Sequence, residues 1–419
     1  MVGGEGNDSS QLLLLQKSLD ADDQPQAPNP LEQVLASAKY IKDNAIDVAI
    51  SPSNTKTAAS HIYALMQERQ YSTHSWSLHE LHPKPDGGEA TLNFIFVLDL
   101  LNFSFWSEKS EKDHFAVQYG GKHWTGYWSL VAGLKRAIEE GASPFFPLSM
   151  SSNLLQCLVL TARYKFFTGF AWERAGSSPY HGNDIGFPVT DPRFWRNQEA
   201  LTLERLKHIF RSSTLDEMPM MRERLDCLRE AGSVLCDKYD GAFANCLHAA
   251  KRSATSLVSI LIRDFPCLRD EHDFDGRRVH IYKRAQIMVA DIWACFNGRE
   301  YGEFDDVGSI TMFADYRIPQ MLNSLGVLLY SPHLEGRICR KEQLRSGETC
   351  EIEIRGCSIW AVELLKQVIH QQQQQYPESS QKINSILIDT FLYDMIKDME
   401  RRGVTGQMLP HHRTRSIWY

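Results

Sequence analysis

The feature that most constrains the fold is a series of amphipathic segments in the second half of the chain. Between residues 200 and 402 apolar residues recur at helical spacing in one segment after another, as in MRERLDCLREAGSVLCDKY and SILIDTFLYDMIKDMERR. This spacing places apolar side chains on one face of an α-helix. Segments in which apolar and polar residues alternate, as they do in a β-strand, are scarce. The clearest example is ETCEIEIRG at 348–356. We predict a mainly α-helical protein with a few short strands.

The first half of the chain has helical signals of the same kind. Apolar spacing predicts an amphipathic helix from Leu31 onward and another at His61 to Gln67. Residues 90–106, ATLNFIFVLDLLNFSFW, are apolar almost all round, which predicts a buried helix rather than a buried strand. The polar residues of this segment, Asp99 among them, then need partners in the interior.

Composition divides the chain into one large domain and atypical pieces. Residues 1–30 are polar and rich in Gly, Pro, Asp and Gln, which predicts a disordered leader before a single domain at 31–419. Residues 143 to about 184 mix Ser, Phe and Leu with few charges and no sustained period. The run Gln371 to Gln375, followed by PESSQK, is typical of a surface loop between two helices.

Charge, cysteines and hydropathy exclude several classes of protein. The net charge is −7, from 45 Lys and Arg against 52 Asp and Glu, which argues against a stable nucleic-acid partner but leaves a single nucleotide possible. The nine cysteines never form a C-x-x-C pair, so we expect no disulfide framework and no metal. With neither a signal peptide nor a membrane-length apolar stretch, the sequence predicts a soluble cytoplasmic protein without a cofactor.

The common catalytic motifs are absent, namely the phosphate-binding loop, the dinucleotide fingerprint, H-E-x-x-H and G-x-S-x-G. The segment SITMFADYRIPQML stands out instead, because an apolar run stops at Asp315 and Pro319 follows shortly after Arg317. This pattern predicts a helix start with Asp315 at or near the N-cap. Asp315 can be a structural cap, and it can also supply the carboxylate that a reaction through a sugar oxocarbenium ion requires.

Other polar residues lie among apolar ones, and two interpretations of each remain open. Arg284 and Asp291 share a helix face and would form an ion pair, while the neighbouring Lys283 could bind phosphate. Asp99 could accept a core hydrogen bond or bind a cationic ligand. The ending PHHRTRSIWY could be a solvated tail, although a chain that ends on Ile-Trp-Tyr tends to be tied down.

Several long stretches of the sequence resemble one known family. They are NFSFWSE, GYWSL, the helix YKRAQIMVADIW, ITMFADYRIPQ, EIEIRGCSIWAVEL, NSILID and the closing HRTRSIWY. Together they resemble the queuosine salvage family, whose members are queuosine 5'-phosphate N-glycosylases. The resemblance runs from about Leu31 to Tyr419 and fails at 143 to about 184, which would be an insertion or a retained intron.

The resemblance implies a fold and a reaction. The fold would be one large helical domain related to the helix-hairpin-helix DNA glycosylases. The reaction would hydrolyse the N-glycosidic bond of queuosine 5'-monophosphate, releasing queuine for salvage into tRNA and ribose 5-phosphate. The resemblance further implies that Asp315 is catalytic, with Phe313, Tyr316 and Arg317 beside it.

The chemistry of this substrate suggests which side chains bind it. Queuine is a 7-deazaguanine without an N7 to protonate, so catalysis depends on stabilising cation character at the sugar. The 5'-phosphate needs cations, and we predict Lys283, Arg284, Arg317, His412 and Arg413 for this role. The flat base needs aromatic faces, predicted to be Phe313 and Trp106, and the amine and diol of its side chain need polar partners, predicted to be Asp99 and His79.

Two other functions are compatible with these features. A base-excision enzyme acting on DNA or intact tRNA would suit a helical fold, but the acidic composition weighs against it. A non-catalytic protein that binds queuine would need the same pocket without the hydrolysis.

Overall fold

In this computed structural model, residues 29–140, 189–375 and 382–419 are described, and helices account for most of them. The helices are α1 (Pro30–Asn44), α2 (Pro52–Glu68), α3 (His74–Ser77), α4 (Glu89–Leu100), α5 (Tyr127–Glu139), α6 (Pro192–Arg196), α7 (Leu203–Ile209), α8 (Met221–Lys238), α9 (Ala244–Ala250), α10 (Ala254–Asp264), α11 (Lys283–Cys295), α12 (Arg317–Ser324), α13 (Pro332–Cys339), α14 (Thr349–Gln375) and α15 (Ser385–Arg401). The prediction of a mainly helical protein is confirmed for these ranges. The atypical piece at 143–184 lies outside the described residues, as does the predicted leader apart from Asn29 and Pro30.

The strands are short, as predicted. They are β1 (Val48–Ile50), β2 (Ala116–Tyr119), β3 (Lys122–Thr125), β4 (Glu271–Phe274), β5 (Arg277–His280), β6 (Leu328–Tyr330), β7 (Gln343–Leu344) and β8 (Arg413–Thr414). In the described ranges they form four two-stranded pairs. Two pairs are antiparallel hairpins, whereas β1 with β6 and β7 with β8 join distant parts of the chain. The last pair is parallel and ties the carboxyl end to the body of the protein.

Several helices begin where the local sequence favours a start. Asn29 accepts the amide of Leu31 before α1, and Ser331 accepts the amide of Leu334 before α13. In both helices proline occupies the first turn, where its missing N–H leaves no hydrogen bond unmade. These starts depend only on neighbouring residues, so sequence patterns predict them well.

The apolar segment 90–106 is a buried helix for most of its length, as predicted. Helix α4 ends at Leu100, and the chain continues through Phe103 in an irregular but buried conformation. Helix α4 packs against α11, and α14 packs against α1 and α2. Asp99, near the end of α4, is therefore carried into the interior.

The strand predicted at ETCEIEIRG is wrong, because these residues begin the long helix α14. Ile352 and Ile354 are buried, but so are the polar residues that alternate with them. Glu353 accepts the amides of Ile46, Asp47 and Val48, and Arg355 pairs with Asp270. The polar residues of this alternating pattern are therefore buried and bind distant parts of the chain. They do not form the exposed face of a strand.

The loop predicted at Gln371 to Gln375 is also wrong, because these residues form the last turns of α14. Glutamine is a good helix former, so a run of it can extend a helix that tertiary packing has already established. The following residues, 376–381, are outside the described part of the chain. Among the described helices none is both long and apolar enough to cross a bilayer.

Candidate active site

Asp315 lies at the start of α12, where the sequence predicts it. Its Oδ1 accepts the amides of Arg317 at 2.8 Å and Ile318 at 3.0 Å. Within the described ranges no hydrogen bond reaches Oδ2. The side chain is half-buried, so one oxygen sets the orientation of the carboxylate and the other can face a ligand.

The segment that leads to Asp315 is held by three helices. The amide of Phe313 donates to Oδ2 of Asp389 on α15 at 3.0 Å. The carbonyl of Ala314 accepts from Nε of Arg355 on α14 at 3.1 Å, and the amide of Thr311 donates to Oε1 of Gln286 on α11 at 2.9 Å. These bonds fix the backbone on which the Asp315 carboxylate stands.

Lys283, the first residue of α11, is buried beside this segment. Burial lowers the pKa of its ammonium, and the nearby carboxylates of Asp315, Asp99 and Asp389 oppose that shift. The ammonium makes no hydrogen bond to the residues that the structure describes. The centre of the site is thus one lysine among several acids.

The acids are themselves perturbed. Burial raises the pKa of Asp99 to about 7, against the opposing influence of Lys283. Burial and the charge of Asp99 raise the pKa of Asp291 well above its usual range, and burial and the charge of Asp315 do the same for Asp389. Asn102 donates to Oδ1 of Asp99, but Oδ2 is buried without a hydrogen-bond partner in the described parts of the chain. This oxygen suits a cationic or hydroxyl-bearing ligand.

An aromatic cluster adjoins Asp291. Nε1 of Trp76 donates to Oδ1 of Asp291 at 3.0 Å, and the Trp76 ring stacks on His82 at 3.8 Å. His79 stacks on Trp128 with ring centroids 3.3 Å apart, and burial lowers the pKa of His79 to about 4, so its imidazole is neutral at pH 7. The structure therefore brings His79 into a cluster next to an acid of the site, where it presents an aromatic face.

Tyr316 and Arg317, which follow Asp315 in sequence, lie near other cationic and aromatic side chains. Tyr316 packs against His411 with ring centroids 4.8 Å apart. Arg317 pairs with Glu400 at 2.8 Å. Trp106 is buried, its Nε1 donates to the carbonyl of Thr414 at 2.8 Å, and the guanidinium of Arg415 covers its ring at 3.6 Å.

Two predicted phosphate ligands have protein partners in the interior. The guanidinium of Arg284 donates to the carbonyls of Leu100 and Cys267, and Asp291 bonds Trp76 instead, so the ion pair considered between Arg284 and Asp291 does not form. His412 bonds the hydroxyl of Tyr419 at 3.2 Å, and burial lowers the pKa of His412 to about 3. Arg413 lies 5.3 Å from the centroid of the Trp106 ring, and Phe313 is buried.

Sequence reasoning missed three residues of the site. Asp291 is predicted only as an ion-pair partner, Arg415 only as part of the ending PHHRTRSIWY, and Asp389 is part of the motif NSILID without a predicted role. A signal for Asp389 exists, because it is a lone carboxylate among the apolar residues Ile388 and Phe391 of α15, as Asp99 is on α4. In the described ranges no group of three or more His, Cys, Asp or Glu side chains is arranged to hold a metal ion.

Comparison with known proteins agrees with the resemblance seen in the motifs. A family model described as queuosine salvage protein matches residues 81–162 and 182–419. A Nematostella vectensis protein named queuosine 5'-phosphate N-glycosylase/hydrolase is 36% identical over 391 residues, which cover 91% of this chain and 97% of the relative. Proteins of the same name from Mus musculus and Schizosaccharomyces pombe are 37% and 34% identical, covering 91% and 93% of this chain and 97% and 100% of the relatives.

Proposed function

The chain belongs to the queuosine salvage protein family, and we propose that it hydrolyses the N-glycosidic bond of queuosine 5'-monophosphate. The products are queuine, for salvage into tRNA, and ribose 5-phosphate. The observation that carries this proposal is the Asp315 carboxylate, with one oxygen held by two helix amides and the other open beside Lys283. We place the reaction in the cytoplasm.

Asp315 acts on the sugar. When the bond between C1' and the base breaks, its electron pair leaves with the base and positive charge develops on the ribose ring. The open oxygen of Asp315 stabilises that charge and orients the water that attacks C1'. The proton that this water loses balances the electron pair that left with the base, so queuine is released neutral. Two amides and the clamped segment before it keep the carboxylate in position, so no reorganisation is needed as the charge appears.

The base lies on the side of Asp99 and Asp291. The queuine side chain carries an amine, and Oδ2 of Asp99 is a buried acceptor without a partner in the described ranges. The charge of Lys283 reaches both Asp99 and Asp291, but one ammonium can neutralise only one of the two carboxylates. The ammonium of the substrate would neutralise the other. The neighbouring rings of Trp76 and His79 supply flat surfaces for the base.

The phosphate lies on the opposite side, near Tyr316. The carboxylate of Asp315 near Lys283 would repel a phosphate dianion, so we assign Lys283 to the base and sugar. Arg317 and Arg413 remain as phosphate ligands. Arg284 and His412 support the site through the interior bonds described above.

The start of α10 is less compatible with a polynucleotide substrate than with a mononucleotide. We infer that the fold is related to the helix-hairpin-helix DNA glycosylases, with α9 and α10 as the hairpin. The amides at the start of α10, Ala254 and Thr255, already donate to the carboxylate of Asp306 at 2.5 and 3.1 Å. A helix start filled by a carboxylate cannot bind a backbone phosphate.

One assay separates the three candidate functions. The purified protein is incubated with queuosine 5'-monophosphate, queuosine and queuosine-containing tRNA, and queuine and ribose 5-phosphate are measured by mass spectrometry. We expect release of both products from the mononucleotide. Release from intact tRNA would support a base-excision enzyme, and retention of queuine without any ribose 5-phosphate would support a binding protein.

A further inference from the structure

The last ten residues, Pro410 to Tyr419, form a strap held at three points. Strand β8 pairs with β7, the amide of Ser104 donates to the carbonyl of Tyr419 at 2.9 Å, and the Tyr419 side chain is buried. Because the strap is extended around β8, residues 413 and 415 project to the same side. Both guanidinium groups lie over the ring of Trp106.

Arg415 is held more firmly than Arg413. Its guanidinium lies 3.6 Å from the centroid of Trp106, and the indole N–H of that residue donates to the carbonyl of Thr414 in the strap. The cation–π contact and the hydrogen bond therefore fix the guanidinium and the ring to each other. One face of Trp106 is covered by this contact, so that face cannot stack on a base.

The guanidinium of Arg415 has unused donors. Its Nη1 is buried and has no hydrogen-bond partner in the described parts of the chain, and no described carboxylate lies within ion-pair distance of it. The charges of Glu108 and Asp216 reach Arg415, but Asp216 already pairs with Lys109 at 2.9 Å. Arg415 as a whole is half-buried, but a buried guanidinium nitrogen without an acceptor is costly unless an anion completes it.

Arg415 also lies at the cationic side of the site. Its charge interacts with the hydroxyl of Tyr316, the residue that follows Asp315, and the charge of Arg317 reaches the same hydroxyl. We propose that Arg415, stacked on Trp106 beside Tyr316, binds the 5'-phosphate and makes the enzyme prefer the nucleotide to the nucleoside. This inference rests on the proposed hydrolysis of queuosine 5'-monophosphate.

The test compares two substrates that differ only in the phosphate. We expect Arg415→Gln to lower kcat/KM for queuosine 5'-monophosphate by about 10- to 100-fold, the effect of losing a hydrogen bond to a charged group. The value for queuosine should stay within about twofold, and Arg415→Lys should recover part of the loss. The matched control is Arg402→Gln, at an exposed arginine, which should leave both values unchanged.

Product inhibition provides a second test, which remains usable if queuosine is hydrolysed too slowly for kcat/KM to be measured. In Arg415→Gln the inhibition constant of ribose 5-phosphate should rise by about the same factor, while that of queuine should not change. Equal losses for both substrates, or for both inhibitors, would overturn the proposal in favour of a structural role. An unchanged variant would also overturn it. Absence of hydrolysis of either substrate by the wild-type enzyme would instead reject the proposed function.

Discussion

The carboxylate of Asp389 accepts the backbone amide of Phe313 at 3.0 Å, and both residues are buried. This bond connects α15 to the segment that carries Asp315. Burial and the charge of Asp315 hold the pKa of Asp389 well above its usual range. The bond therefore positions the segment that precedes Asp315.

We predict that Asp389→Asn retains stability and most activity, because the amide oxygen still accepts from Phe313. Asp389→Ala should lower the free energy of unfolding by about 1–3 kcal/mol, since it leaves a buried amide without an acceptor. Urea unfolding and steady-state kinetics of both variants measure these effects. A stable Asn variant with greatly reduced kcat would mean that Asp389 itself transfers a proton.

Asp315→Asn should abolish most activity while the protein stays folded. Asparagine can accept the amides of Arg317 and Ile318 as aspartate does, but it lacks the charge that stabilises the sugar cation. We expect kcat to fall by about 10³-fold, with a change of less than about 1 kcal/mol in stability. The measurements are queuine release and urea unfolding. A well-folded Asn variant with full activity would remove Asp315 from the mechanism.

The pH dependence of substrate binding should depend on Asp99. Burial raises its pKa to about 7, so this carboxylate, which we propose as the partner of the substrate amine, becomes ionised as the pH rises through about 7. KM for queuosine 5'-monophosphate should therefore fall between about pH 6 and 8. In Asp99→Asn this dependence should disappear and KM should be high throughout. An unchanged pH profile would contradict the assignment.

The raised pKa of Asp99 also affects the free energy of unfolding. A rise in pH that favours substrate binding should lower the stability of the ligand-free enzyme. Between the unfolded pKa of 3.8 and the folded pKa of about 7, the folded chain retains a proton on Asp99 that the unfolded chain has lost. The free energy of unfolding of the ligand-free enzyme should fall over this range, by at most about 4 kcal/mol from this group. Denaturation at several pH values should show a smaller slope in Asp99→Asn.

The buried pair of Arg355 and Asp270 should be needed for folding. Nη2 of Arg355 lies 2.5 Å from Oδ2 of Asp270, and both side chains are almost fully buried. Arg355→Met would leave the buried carboxylate of Asp270 without its arginine partner, which costs about 3–5 kcal/mol. Arg340→Met is the matched control, because Arg340 pairs with Glu342 at the surface, and it should cost less than about 1 kcal/mol. Equal costs in urea unfolding would contradict this prediction.

Acid should weaken the same pair. Burial opposes ionisation of Asp270, but Arg355 and His272 hold its pKa well below its usual range. Its contribution to stability is therefore present above the unfolded pKa of 3.8 and is lost as the pH falls further. The double variant Asp270→Asn, Arg355→Met should be more stable than Arg355→Met alone and should lose this part of the acid sensitivity.

Local patterns predicted some parts of the site and failed for others. The place of Asp315 at a helix start is predictable because the cap and the proline after it lie within a few residues of each other. The beginning of α14 was misread as a strand because Glu353 and Arg355 find their partners at residues 46–48 and at Asp270, far away along the chain. The contact between Arg415 and one face of Trp106 has no local signal either, because the two residues are far apart along the chain.

The sequence by itself determined the helical character of the chain and the place of Asp315 at a helix start. Both depend on spacing and capping within a few residues. Only the tertiary structure decided which charges meet, because Asp99, Lys283 and Asp389 lie on three helices far apart in sequence. Their perturbed pKa values arise from burial and from one another, and neither exists until α4, α11 and α15 pack together.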